Sequence, residues 1–121
     1  MAVRHYSELI AWQKAMDLLI QVYQRSEPFP QREMFGSTNQ MRRAAVSIPS
    51  NIAEGQGRGT TKDFVHFLYV ARGSLQELET QVLIAWRLNY LQEETKCVFF
   101  TASSEVARLL NGLINSLTTN H

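Results

Sequence analysis

Apolar residues recur along this chain at intervals of three and four through four long stretches, and they nowhere alternate for the length of a strand. The first stretch runs from about Ser7 to Arg25. There Leu9, Trp12, Met16, Leu19 and Tyr23 form one stripe, with Ala15, Leu18 and Val22 beside it, while Glu8, Lys14 and Asp17 mark the wet side. So wide an apolar face suits a helix in a bundle, with Trp12 as a core anchor. Glu27-Pro28-Phe29-Pro30 stops this helix, because proline blocks its own position and restricts the residue before it. Phe29 and Phe35 are expected to fold the following loop onto the bundle end.

The second stretch is the most densely coded. Ser37-Thr38-Asn39-Gln40 has the form of a capping box, which starts a helix at Ser37. Met41, Ala44, Ala45, Ile48 and Ile52 then make an apolar face, and Gln40, Arg43, Ser47, Asn51, Glu54 and Arg58 make a polar stripe beside it. Glu54 and Arg58 are spaced to pair along the helix. Pro49 cannot donate to the carbonyl of Ala45, yet Ile48 and Ile52 stay in phase across it, so a bend is expected rather than a break. Gly55, Gly57 and Gly59 end the helix, and Thr60 caps the next one with Asp63 in its first turn.

The third stretch, Thr61 to about Leu88, keeps Phe64, Phe67, Leu68, Ala71, Leu75, Leu78, Val82, Ala85 and Trp86 in near-heptad spacing. Gly73 inside it costs roughly 0.8–1 kcal/mol in helix propensity, which points to a close helix crossing. A short link at Asn89-Tyr90 makes the third and fourth helices antiparallel neighbours. The fourth runs from about Gln92 to Leu117 on Phe99, Ala102, Val106, Leu109, Leu113 and Leu117, widened by Leu110 and Ile114, and Thr118 to His121 fray. The sum is an all-α fold: one domain over residues 1–121, an antiparallel up-down-up-down four-helix bundle whose second helix is bent near Pro49. Ile10, Val46, Val70 and Ile84 are apolar residues that one bundle core does not consume.

The polar stripe of the second helix has two readings. It faces water, or it packs against protein, where small residues such as Ala44, Ala53 and Gly55 allow close approach. In the second case its polar groups need partners, since an unmet buried group costs about 1–3 kcal/mol.

Composition adds bounds. A 121-residue chain is long enough for one real core, and 45% hydrophobic with 19% charged residues is ordinary for a globular protein. The net charge of +1 will not by itself pull the chain onto nucleic acid or membrane. Residues 1–62 hold eight Lys/Arg against five Asp/Glu, and residues 63–121 hold four against six, a mild asymmetry. The single Cys97 leaves no internal disulfide and fits a reducing compartment. The N-terminus lacks a signal-peptide pattern, and no stretch reads as a membrane span, so a cytoplasmic protein without membrane association is expected.

Catalytic chemistry is not evident. His5, His66 and His121 are scattered, and Cys97 has no neighbour at ligand spacing, so neither metal nor cofactor is expected. Gly55-Gln56-Gly57-Arg58-Gly59 follows a helix rather than a strand and lacks the Lys-Ser/Thr of a phosphate loop; it reads as a helix-ending turn. Ser47 and Ser74 stand in no nucleophile-elbow context. An enzyme is not expected.

QMRRAAVSIPSNIAEGQGR followed by FVHFLYVARGSLQELETQV resembles the four-helix bundle family encoded in intervening sequences of bacterial 23S ribosomal RNA genes. Accessory proteins of diversity-generating retroelements resemble the same family. The likeness covers Leu9 to Leu117. It implies a ring-shaped homo-oligomer, typically a pentamer, and RNA or another nucleic acid as the leading partner. Arg42, Arg58, Lys62, Arg25 and Arg32 are then the candidate phosphate contacts, salt-sensitive and sequence-tolerant. Arg42 is the better candidate for a solvent-facing contact. Arg43 is the candidate for a structural tie to Glu79, or to Glu54 of another copy. Gln40, Arg43, Ser47, Asn51 and Glu54 are the candidate oligomer contact. The rival reading is a structural adaptor that presents its rim to a protein, such as a reverse transcriptase or a ribosome-associated factor.

Overall fold

In the computed structural model, which describes residues 5–119, four helices carry nearly all of the chain. They are α1 (Ile10–Ser26), α2 (Ser37–Gly57), α3 (Thr61–Arg87) and α4 (Glu93–Thr118), with short 3-10 turns at Tyr6–Glu8 and Gln31–Glu33. No strand occurs among the described residues. His121 and Asn120, in the end expected to fray, lie outside them.

Neighbouring helices pack in the cyclic order α1, α2, α3, α4, and the diagonal pairs do not meet. Cross-helix partners run in opposing order. Glu79 of α3 meets Ser103 of α4, and Arg72, two turns earlier, meets Asn111, two turns later. Ser47 of α2 meets Ser74 of α3, while Arg58 lies over Phe67. Such pairing is that of antiparallel neighbours.

Met41, Ile48 and Ile52 of α2, Leu68, Leu75 and Leu78 of α3, Leu18 of α1, and Phe99 and Leu110 of α4 are fully buried. Each such side chain is worth about 1.5–3 kcal/mol against exposure. The apolar face read for α2 is buried throughout. In α1 the buried centre is the neighbouring row, Ala11, Ala15, Leu18 and Val22. Trp12, Met16 and Leu19 instead line a groove toward Val46, Pro49 and Ala53 of α2. In α4 the buried row is Phe99, Ser103, Val106, Leu110 and Ile114, so Phe99 and Val106 of the expected stripe share the centre with Leu110 and Ile114, which were expected only to widen the face. Ile10, Val46, Val70 and Ile84 remain on the surface, as their surplus over one core requires.

Several local expectations change. α2 has no capping box: Gly36 is the cap residue, and the Glu33 carboxylate accepts from the Ser37 N–H at 3.3 Å in place of a serine hydroxyl. The 3-10 turn at Gln31–Glu33 carries that carboxylate to the helix start, which makes the serine cap redundant. α2 then runs unbroken through Pro49. Beside the lost hydrogen bond, Ser50 Oγ donates to the Val46 carbonyl at 2.8 Å. Gly73 has open space where a Cβ would stand, so it marks no crossing. The close approach is at Gly55, where a Cβ would come 2.7 Å from Phe67 Cβ. Gly59, at φ +87°, is the glycine that turns the chain out of α2. Thr60 caps α3 by accepting from the Asp63 N–H at 3.2 Å.

At the far end of α3, Asn89 takes φ +64°, and the N–H groups of Asn89 and Tyr90 donate to the carbonyls of Trp86 and Ala85. That is a Schellman end, and it fixes the tight link to α4. By length and composition alone α4 is apolar enough to cross a bilayer, against the expectation that no stretch reads as a membrane span. Here its buried row faces the other helices. Phe29 tucks in as expected and packs on Tyr90 at 5.6 Å, whereas Phe35 is 90% exposed.

Candidate nucleic-acid interface

The antiparallel order divides the candidate cations between two ends of the bundle. Arg25 closes α1, Arg32 lies in the link, and Arg42 and Arg43 sit in the first two turns of α2. Arg58 and Lys62 flank the turn between α2 and α3 at the opposite end. Sixteen residues of helix separate Arg42 from Arg58, about 24 Å at 1.5 Å per residue. The five candidate phosphate contacts are therefore not one site.

At the first end the two adjacent arginines differ sharply. Arg42 is tied to α1. Its Nε donates to Ser26 Oγ at 2.9 Å, its Nη2 donates to the Tyr23 carbonyl at 3.3 Å, and its guanidinium stacks 4.6 Å from the Tyr23 ring centroid. Glu27 adds a carboxylate at 4.0 Å. Arg42 is thus the structural arginine, against the expectation that it face solvent.

Arg43 is exposed and has no ion pair or hydrogen bond among the described residues. Glu79, its expected tie, faces α4 and accepts from Ser103 instead. Successive helical residues point about 100° apart, so one neighbour meets α1 and the other meets water.

Between α1 and α2 at this end lies an open cavity of about 430 Å³, lined by Tyr23, Met34, Thr38, Asn39, Arg42, Arg43, Val46 and Ser47. Tyr23, Met34 and Val46 present partly exposed apolar surface to it. Thr38 is buried, and its hydroxyl meets no protein partner among the described residues. Arg25, Arg32 and Arg87 add exposed cations without ion pairs at the same end. Its acids are partly engaged: Glu33 accepts from Tyr90 Oη at 2.9 Å, and Glu93 pairs with Lys96 at 3.1 Å. That hydrogen bond from Lys96 holds the Glu93 carboxyl below its ordinary value.

The opposite end is occupied differently. Arg58 Nε donates to Glu54 at 3.0 Å, and its guanidinium lies 5.0 Å from the Phe67 centroid. Lys62 is exposed there and has no ion pair among the described residues.

The polar stripe of α2 is likewise divided. Ser47 and Ser74 share a 2.8 Å hydrogen bond across the α2–α3 seam, and Asn51 Nδ2 donates to the Ser47 carbonyl and hydroxyl at 2.7 and 2.9 Å. This half of the stripe meets the chain's own third helix. Gln40, Arg43 and Glu54 stay exposed. No group of three or more His, Cys, Asp or Glu side chains that could hold a metal occurs among the described residues.

Tyr23, Met34 and Arg87 were not singled out as site residues from sequence. Tyr23 reads as one more member of the α1 apolar stripe. Arg87 joins this end only through the antiparallel order, which four helices with short links already imply.

The geometry can be set beside known proteins. The family described as 23S rRNA-intervening sequence protein matches residues 7–112. No curated protein matches the chain. A crystal structure of a protein of unknown function from the S23 ribosomal protein family of Bacteroides thetaiotaomicron superposes with a TM-score of 0.80 at 21% identity. That likeness covers 88% of this chain and 96% of the other, and it shows the shared fold. With the match extending from before α1 well into α4, this chain belongs to the family of 23S rRNA-intervening sequence proteins.

Proposed function

We propose that this chain is a non-enzymatic bundle that assembles with copies of itself into a ring, a pentamer by resemblance to its family, and binds RNA through the α1–α2 end. One observation carries the reading. Arg25, Arg32, Arg43 and Arg87 are exposed without ion pairs at that end, whereas the opposite end has only Lys62 in that condition among the described residues. Unpaired cations on one end give a local positive field that a net charge of +1 conceals. A ring repeats that field once per copy, so weak contacts add through multivalency. Exposed Ile10, Val70 and Ile84 supply apolar surface for contact between copies.

The adaptor reading draws on Phe35, which is 90% exposed beside Met34 and offers an apolar foothold to a protein. Two measurements decide. Light scattering reports whether the purified chain is an oligomer. Filter retention of a structured RNA, titrated with salt, then separates the readings. Retention that falls steeply as salt rises, and that weakens in Arg43→Ala, supports RNA binding. An intact ring that retains no RNA at low salt supports the adaptor, and a monomer removes the ring.

A further inference from the structure

We propose that the cavity between the last turn of α1 and the first turns of α2 holds one unpaired nucleotide of an RNA strand, its base against Tyr23 and its phosphate on Arg43. The inference rests on the RNA reading above and specifies the form of RNA. A duplex offers phosphates to a basic surface while its bases stay stacked inside. Phosphate contact alone needs only exposed cations. This cavity offers more than cations.

Tyr23 is 42% exposed and Met34 40%, so the part of the Tyr23 ring that Arg42 leaves uncovered and a thioether side chain stand open beside the arginines. Arg42 is fixed over the Tyr23 ring by its bonds to Ser26 and the Tyr23 carbonyl, and so holds that ring in place. The volume of about 430 Å³ falls within the roughly 300–1,000 Å³ range of small-ligand pockets. The polar lining comes from Thr38, Asn39 and Ser47, and the charge from Arg42, engaged with α1, and Arg43, which is free. Glu27 is taken up by Arg42, so Arg43 is the cation left to meet an anion. A planar base, a linking sugar and one phosphate match an aromatic face, a polar wall and an unpaired guanidinium. Single-stranded RNA is recognised by such aromatic stacking of splayed bases.

The test uses the full chain and two fluorescent RNAs of equal length, an unstructured single strand and a perfect duplex, with affinities read by polarisation. The single strand is expected to bind more tightly. Tyr23→Ala should weaken it roughly 5- to 150-fold, the worth of one base–aromatic stack, while leaving duplex affinity unchanged. Tyr23→Phe, which keeps the ring, should retain the single strand within about twofold, well short of the loss of that stack. A wild-type measurement guards against misfolded variants: the Met34 methyl resonance should shift when the single strand is added.

Three outcomes overturn the proposal. In the first, Tyr23→Ala leaves single-strand affinity intact while Arg43→Ala lowers it; RNA binding then stands as a phosphate contact and the pocket does not. In the second, the Met34 methyl stays still at saturating RNA, whether or not it shifts with an acidic peptide. Absence of binding to either RNA at low salt removes the RNA reading itself.

Discussion

The two ends of α2 are built from similar residues and behave as opposites. Around Gly55 the helix is pressed against α3: a Cβ there would meet Phe67 Cβ at 2.7 Å and the Phe64 carbonyl at 3.2 Å, and Arg58 is paired with Glu54 and laid over Phe67. Around Arg43 an open cavity lies between α1 and α2, with an unpaired guanidinium in its lining. Arg58 is neutralised where packing is tight, and Arg43 is left uncompensated beside the open cavity. A cation is therefore free or a structural tie according to what the neighbouring helix brings to it.

The tight end should break most readily. Gly55→Ala is expected to cost about 1–3 kcal/mol, the usual toll of overpacking, read as a lower denaturant midpoint. Gly73→Ala is the matched control. It meets open space in mid-helix and should raise stability by about 0.5–1 kcal/mol. Were both to stabilise, the junction at Gly55 would not be tight.

At the open end Arg42→Ala should cost about 1–3 kcal/mol, because the buried Ser26 hydroxyl loses the donor it accepts from and the Tyr23 carbonyl loses Arg42 Nη2. Arg43→Ala should change stability by less than about 0.5 kcal/mol, as an unpartnered surface residue does. Equal costs for the two would erase the distinction between them. Arg58→Ala is smaller again than the Arg42 change, about 0.3–0.5 kcal/mol, since its pair with Glu54 is an exposed (i, i+4) bridge.

The smallest effect is electrostatic. Lys96 lowers the Glu93 carboxyl, so the folded value lies below the unfolded one. The pair's contribution is present above the unfolded value of about 4.3 and fades as pH falls through the lower folded value. Glu93→Gln should therefore lower the neutral-pH plateau slightly, coincide with the wild type at acid pH, and so flatten the acid limb between them.

The element pattern was legible because helical burial is periodic. Met41, Ala44, Ala45, Ile48 and Ile52 announce their face without reference to any other helix, and Thr60 announces its cap. The site was less legible. Which of Arg42 and Arg43 is free depends on where α1 lies beside α2, and nothing local to the pair encodes that position. The same ignorance placed Glu79 opposite Arg43, when α3 turns it toward Ser103. Ser37 read as a cap because the competing carboxylate of Glu33 arrives through a 3-10 turn that has no periodic signature. Gly73 and Gly55 have the same propensity cost, and only tertiary packing tells a crowded glycine from an idle one.

The central claim is that RNA meets the open end of α2 and not the tight end. RNA affinity across a salt titration, compared between Arg43→Ala and Arg58→Ala, tests it most directly. Arg43→Ala should lower affinity and make the logarithmic salt slope shallower by about 1, the loss of one phosphate contact per copy, while Arg58→Ala keeps both at the wild-type value. The reverse pattern, or equal losses in the two variants, would contradict it.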